Sequence, residues 1–246
     1  MLGLAASITN TSYQWQPNFV GADMKLWFRN NVGVAVEQWD DSSGNANHAV
    51  QGTEGNQGTL SGGGIDFEGG SSHHYDLTSD VVISADEGFM IFLVCTIESY
   101  DSQNSILGTG DAQVFLELQT NRKIRFKTAA GTNSIEYPTD TLATGEKMIL
   151  GVKRDSGSTG NIHLYKNGTL VTPSSQEANR GAITFDQLAS RNNDRFFDGV
   201  IQELIAYEIA WEKKLKAADG SLEELMWLCV PDFSDIRKKS FWYQGV

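Results

Sequence analysis

Residues 39–51 read WDDSSGNANHAVQ, two adjacent acids followed at close spacing by Ser, Gly and Asn. Asp40, Asp41, Ser42, Gly44 and Asn45 could offer oxygens to a hard cation such as calcium, which takes about 6–8 oxygen ligands. The same residue types build turns for local reasons, because Asp and Asn bond their own backbone and tolerate left-handed conformations. The EF-hand spacing does not fit, since no helices flank the run and no Glu closes it at the twelfth position. Asp40, Asp41 and Asn45 are thus candidate calcium ligands, set against a turn that needs no ion.

Other chemistry is sparse. The four histidines, His48, His73, His74 and His163, form no HExxH pattern and no zinc spacing with cysteine. His73-His74 reads as a surface turn, and His163 alternates with Ile162 and Leu164 as an outward strand residue. No Gly-x-Ser-x-Gly elbow or phosphate loop occurs, and ILGTGD at 106–111 lacks the helix such a loop needs. No catalytic residue is assigned. A sugar site would use an aromatic platform beside amides and acids. Trp15, Trp27, Trp39, Tyr75, Tyr100 and Tyr137 are the aromatics to weigh; Trp27 and Trp39 read as core. Tyr100, in the loop-like ESYDSQNS, is the candidate glycan contact.

The 31 acids outnumber the 19 bases, a net charge of −12, which argues against a nucleic-acid partner because phosphate binding needs a basic face. The basic run NRKIRFK at 121–127 alternates in strand fashion and reads as a solvated face. The two cysteines, Cys95 and Cys229, sit in apolar runs and read as buried free thiols. MLGLAASITN has no basic segment before its short apolar run, so no signal peptide is expected, and no stretch reaches the roughly 18–20 apolar residues of a membrane span.

The elements that must hold these residues are strands. GGIDFEGG alternates, FMIFLVCTI (89–97) is continuously apolar as a central strand would be, and QVFLELQ and KIRFKT (123–128) form a hairpin around 120–122. KMILGVKRD and NIHLYKNGTLVTP follow, the second turning at Asn167-Gly168, a strong hairpin signal. AITFDQLA and FFDGVIQELIAYEIA close the series. Short strands with Gly/Asn turns and no helices between them predict an all-β antiparallel sandwich. Ser221-Leu-Glu-Glu224 is a capping box ahead of an apolar face of Leu222, Leu225, Met226 and Leu228, so a short C-terminal helix is expected.

Four stretches in this order resemble the laminin G-like group of the concanavalin A-like lectin/glucanase superfamily. They are LWFRNNVGVAVEQWDDSSGNANHAVQ (26–51), GIDFEGG (64–70), IHLYKNGTLV (162–171) and FDGVIQELIAYEIAWEKK (197–214). The resemblance implies an antiparallel jelly-roll β-sandwich over residues 21–230, flanked by an N-terminal arm (1–20) and a C-terminal arm (231–246). It also implies that the opening loop lies close to the closing strand, which adds Asp198 to the candidate metal set. The glucanases of the group carry Glu-x-Asp-x-x-Glu on one strand; this chain has no such string. Glu203 and Glu208 are five apart, hence on opposite strand faces, so hydrolysis by a facing carboxylate pair is not expected.

A fold leaves function open. The arms hold Trp15 and Phe19 at one end and Phe241, Trp242 and Tyr243 at the other, aromatics suited to docking onto neighbouring subunits. With the MLGLAAS start, the chain is similar to accessory structural proteins of tailed phages. The expectation is a non-enzymatic virion component, capsid decoration or tail/fibre, made in the host cytoplasm. Its partners would be other virion proteins, copies of itself and cell-surface glycans. The alternatives are a free carbohydrate-binding module or lectin, then a glycoside hydrolase.

Overall fold

The computed structural model describes residues 24–100, 104–111, 113–157, 159–175 and 177–209. The arms at 1–20 and 231–246, the helix around 221–228, and the aromatics Trp15, Phe19, Phe241, Trp242 and Tyr243 lie outside them, as does Cys229.

Sixteen strands are described in two eight-stranded antiparallel sheets. The first sheet runs β14 (Thr169–Val171), β13 (Ile162–Lys166), β12 (Lys147–Arg154), β7 (Gly88–Ile97), β16 (Gly199–Ile209), β5 (Gly64–Phe67) and β4 (Thr59–Ser61), with β1 (Met24–Phe28) also paired to β16. The second runs β11 (Gly131–Glu136), β10 (Lys123–Thr128), β9 (Phe115–Thr120), β8 (Ser105–Gly108), β15 (Ile183–Leu188), β6 (Tyr75–Ile83), β3 (Ala49–Val50) and β2 (Gln38–Trp39). Distant partners such as β7–β16 and β8–β15 give the crossed-over order of a sandwich, as the alternation predicted. Apart from two three-residue 3-10 turns, no helix is described, and none among these residues is long and apolar enough to cross a membrane.

Alternation sets what each face meets. Ile124 and Phe126 of β10, Leu116 and Leu118 of β9, and Ile91, Leu93 and Cys95 of β7 belong to one core cluster between the sheets. Each fully buried apolar side chain of this kind contributes about 1.5–3 kcal/mol. Trp39 is part of that core and stacks on Phe28 with ring centroids 5.4 Å apart. Trp27, also expected in the core, is buried but stands on the other face. It joins Met24, Met90, Ile205 and Tyr207 in a smaller cluster on the outer side of the first sheet.

Hairpins fall where turn residues stand. Asn167 and Gly168 both take positive φ (50° and 79°), the left-handed pair a two-residue hairpin needs. Asn167 Oδ1 accepts the Ile149 amide at 2.9 Å, tying the turn to the neighbouring strand. A buried cation holds another corner. Arg154 donates to the carbonyls of Glu87, Ser84, Asn179 and Gly181, and its guanidinium lies 5.2 Å from the Phe89 ring centroid. Burial lowers its pKa to about 10. The arginine remains protonated at neutral pH.

Candidate functional site

The opening loop is closed on itself and on β1. Asp41 Oδ1 accepts the amides of Trp27 and Ser43, each at 2.9 Å, while Oδ2 accepts the Ser43 hydroxyl at 2.6 Å and the Asn47 amide at 3.0 Å. Four hydrogen bonds occupy both oxygens of this carboxylate. Asn45 Nδ2 donates to the carbonyls of Met24 and Lys25, and Asn47 Nδ2 to that of Lys25. Asp40, half in solvent, accepts from Gln38 and lies 3.4 Å from His48 Nδ1. This pattern is that of a turn fastening the loop to the first strand.

Asp198 stands elsewhere. Its Oδ2 accepts the Gly69 amide at 3.1 Å, beside a group of acids at the ends of β5 and β7. There Asp66, Glu68 and Glu98 offer carboxylate oxygens within 4.8 Å of one another. These are the described residues that could take a divalent cation through hard oxygens. Burial raises the Asp66 carboxyl, with Asp198 adding to the effect and His73 opposing it. Glu98 is raised by burial and then by Asp66, Glu68 and Asp198. Like charges that share a site favour the protonated form of one another. The Glu68 amide donates to His73 Nδ1 at 3.1 Å, which folds the His73-His74 turn over this rim. His74 itself is buried against Phe196, not on the surface as the sequence suggested.

Tyr100 is half-buried and packs against the main core; its hydroxyl donates to the Leu142 carbonyl at 2.6 Å. The ring is therefore engaged with the fold rather than presented as an open platform. His163 takes the expected outward position, 2.8 Å from Asp155. Asp155 is held at about 2 by its bonds to His163 and Lys153, which overcome the burial that would raise it.

Two further carboxylates are buried, on opposite outer faces of the sandwich. Glu203 of β16 is on the first sheet and accepts from Trp27 Nε1 at 2.8 Å. Burial pushes it up to about 7 against the pull of Trp27 and Arg29. Glu208 follows at the opposite parity and pairs with Lys25, so the two acids of QELIAYE face opposite ways as expected. Glu117 of β9 is fully buried on the second sheet, where Arg191 Nε donates to its Oε2. Sequence reasoning missed it. Its only signal was alternation with Leu116 and Leu118, which predicts an outward residue but not what covers it.

No family model matches the chain, and no curated protein matches it. Solved structures do. A Trypanosoma rangeli sialidase is 14% identical with a TM-score of 0.48; the match covers 76% of this chain and 30% of the sialidase, so the chain spans about a third of that enzyme. Domain 4 of AbnA, a GH43 extracellular arabinanase from Geobacillus stearothermophilus, solved with arabinotriose, is 16% identical with a TM-score of 0.46 over 76% of this chain and 93% of that domain. The CBM40 of Ruminococcus gnavus IT-sialidase is 18% identical with a TM-score of 0.40 over 53% and 82%. The fold assignment rests on the strand order and register described above.

Proposed function

We propose that this chain is a non-enzymatic attachment protein, a lectin-like β-sandwich whose outer surface engages glycans. One observation carries the non-catalytic part. The two buried glutamates among the described residues, Glu117 and Glu203, stand on opposite outer faces, each bonded to a structural partner. Glycoside hydrolysis needs two carboxyls flanking one bond, about 5–9.5 Å apart. Glu117 and Glu203, divided by the sandwich, do not form such a pair.

The setting is the one that the sequence resemblance implies, an accessory position on a phage particle with the terminal segments making the attachments. Free carbohydrate binding without a particle is the second reading, favoured by the same sandwich surface.

A glycan array with the full chain, followed by analysis of the bound sugars, tests the first part. Glycans retained and recovered uncleaved support it, whereas release of shortened products overturns it. Deleting residues 231–246 tests the setting. Loss of particle incorporation with glycan binding intact supports attachment through the C-terminal segment. Normal incorporation removes it.

A further inference from the structure

The connection from β15 to β16 is conformationally costly. Ala189, Asn192, Asn193 and Arg195 all have positive φ, at 63°, 57°, 49° and 53°. Residues held outside the favoured regions cost on the order of 1–3 kcal/mol each and cluster at ligand clamps and active sites. The loop also lies tightly against β8. A Cβ on Gly108 would stand 2.5 Å from Arg191 Cβ and from the Ser190 carbonyl oxygen, so glycine is what allows the approach. The Asn192 amide donates to the Thr109 carbonyl at 2.8 Å and the Ser105 amide to the Arg195 carbonyl at 3.1 Å, pinning the loop at two points.

This arrangement delivers arginines to one place. Cross-strand register puts Ser134, Arg125, Glu117 and Ser105 in a row across β11, β10, β9 and β8. The core residues Ile124, Phe126, Leu116 and Leu118 face the other way, so the row is on the outer side. Arg191 reaches in from the loop to Glu117, and Arg125 Nη1 lies 3.7 Å from the other oxygen. Their guanidinium carbons sit 4.2 Å and 5.3 Å from the centroid of Phe115, which fixes both forks by cation–π contact. Arg195 is the third cation within the field of Glu117.

Two guanidiniums at Glu117 with a third in its field exceed what burying it requires. A buried ion pair is itself a weak source of stability compared with apolar packing. Among the described residues the side chains of Arg125 and Arg195 donate no hydrogen bond, and that of Arg191 donates only through Nε. All three side chains keep solvent access, at 28%, 13% and 42% for Arg125, Arg191 and Arg195. Asp194 approaches Arg195 only to 3.7 Å and is well exposed. Beneath them, Ser105 Oγ and Glu117 Oε1 are buried with no hydrogen-bond partner. Planar forks with free N–H groups match a carboxylate bidentately.

We propose that Arg125, Arg191 and Arg195 form an anion-binding site on the outer face of the second sheet that takes the carboxylate of an acidic saccharide. The saccharide part rests on the adhesive reading above; the anion part rests on the arginine geometry alone.

Isothermal titration of the full chain with D-galacturonate, D-galactose and acetate tests both. The expected result is binding of galacturonate, weaker binding of acetate and none of galactose. Arg195→Gln, which removes no hydrogen bond of the fold, should weaken galacturonate by about tenfold or more without lowering the melting temperature. Arg125→Gln should weaken it as much with a small fall in melting temperature, because it gives up the approach to Glu117 and the contact with Phe115. Arg191→Gln is avoided because it strands Glu117. Acetate binding as tightly as galacturonate overturns the saccharide assignment and leaves the anion site. Galactose binding equally well, or galacturonate binding that survives the Arg125/Arg195 double variant, overturns the anion site while the adhesive reading stands. If no probe binds, the proposal fails, and neutral glycans on the array then decide the adhesive reading separately.

Discussion

Trp27 Nε1 donates a 2.8 Å hydrogen bond to Glu203 Oε1, joining β1 to β16 across 176 residues of sequence. The bond gives a buried acid one good donor in an apolar cluster, and so couples the outer face of the first sheet to pH. Glu203 has a folded pKa of about 7, whereas an unfolded glutamate titrates near ~4.3. The folded state therefore holds this proton more tightly. The resulting stabilisation is complete below the unfolded value and is lost as pH rises through about 7. Glu203→Gln keeps an acceptor for Trp27 and removes the titration. Between pH 5 and 8 the wild type should lose on the order of 3 kcal/mol relative to the variant in urea unfolding. Parallel stability curves would refute this.

Asp41 makes the opposite kind of site, a carboxylate saturated by its own chain. Asp41→Ala strands the amides of Trp27, Ser43 and Asn47 and should cost about 2–4 kcal/mol. The loss should be the same in calcium and in chelator. A deficit that appears only when calcium is present would instead make the loop a metal site.

Arg154 fills its pocket with donors rather than with bulk. Arg154→Met leaves the carbonyls of Ser84, Glu87 and Gly181 without this partner and should destabilise the chain by about 3–5 kcal/mol. Arg154→Lys keeps a charge but not the fork, so its melting temperature should fall between those of Arg154→Met and the wild type.

The Asn167-Gly168 turn offers a local check. Gly168→Ala forces a Cβ into φ +79° and should cost about 1–2 kcal/mol. Asn167→Ala should also destabilise, because it removes the acceptor for the Ile149 amide. Both are read from thermal unfolding, and an unchanged melting temperature for Gly168→Ala would show that the turn relaxes.

The strands from β7 onward were largely legible as residues, because alternation and turn chemistry are local properties. FMIFLVCTI became β7, KIRFKT became β10, and Asn167-Gly168 turned where it should. The polar-rich β6 and β11 were not singled out, since YDLTSDVVI and GTNSIE owe their strand state to pairing with β15, β3 and β10. The acid-rich opening loop was legible as two alternatives, and one hydrogen bond from β1 with three from the loop itself closes the Asp41 carboxylate.

By itself the sequence determined the fold class, the central strands, the free buried Cys95 and the opposed facing of Glu203 and Glu208, all consequences of period-two geometry and burial. Only the tertiary structure decided which distant charges meet. Asp198 went to Asp66, Glu68 and Glu98 rather than to Asp40 and Asp41, and Arg191 came down on Glu117 from 74 residues away. Strand periodicity tells which face a side chain takes. The chain crossing above that face depends on sheet order and loop path, which no local pattern encodes.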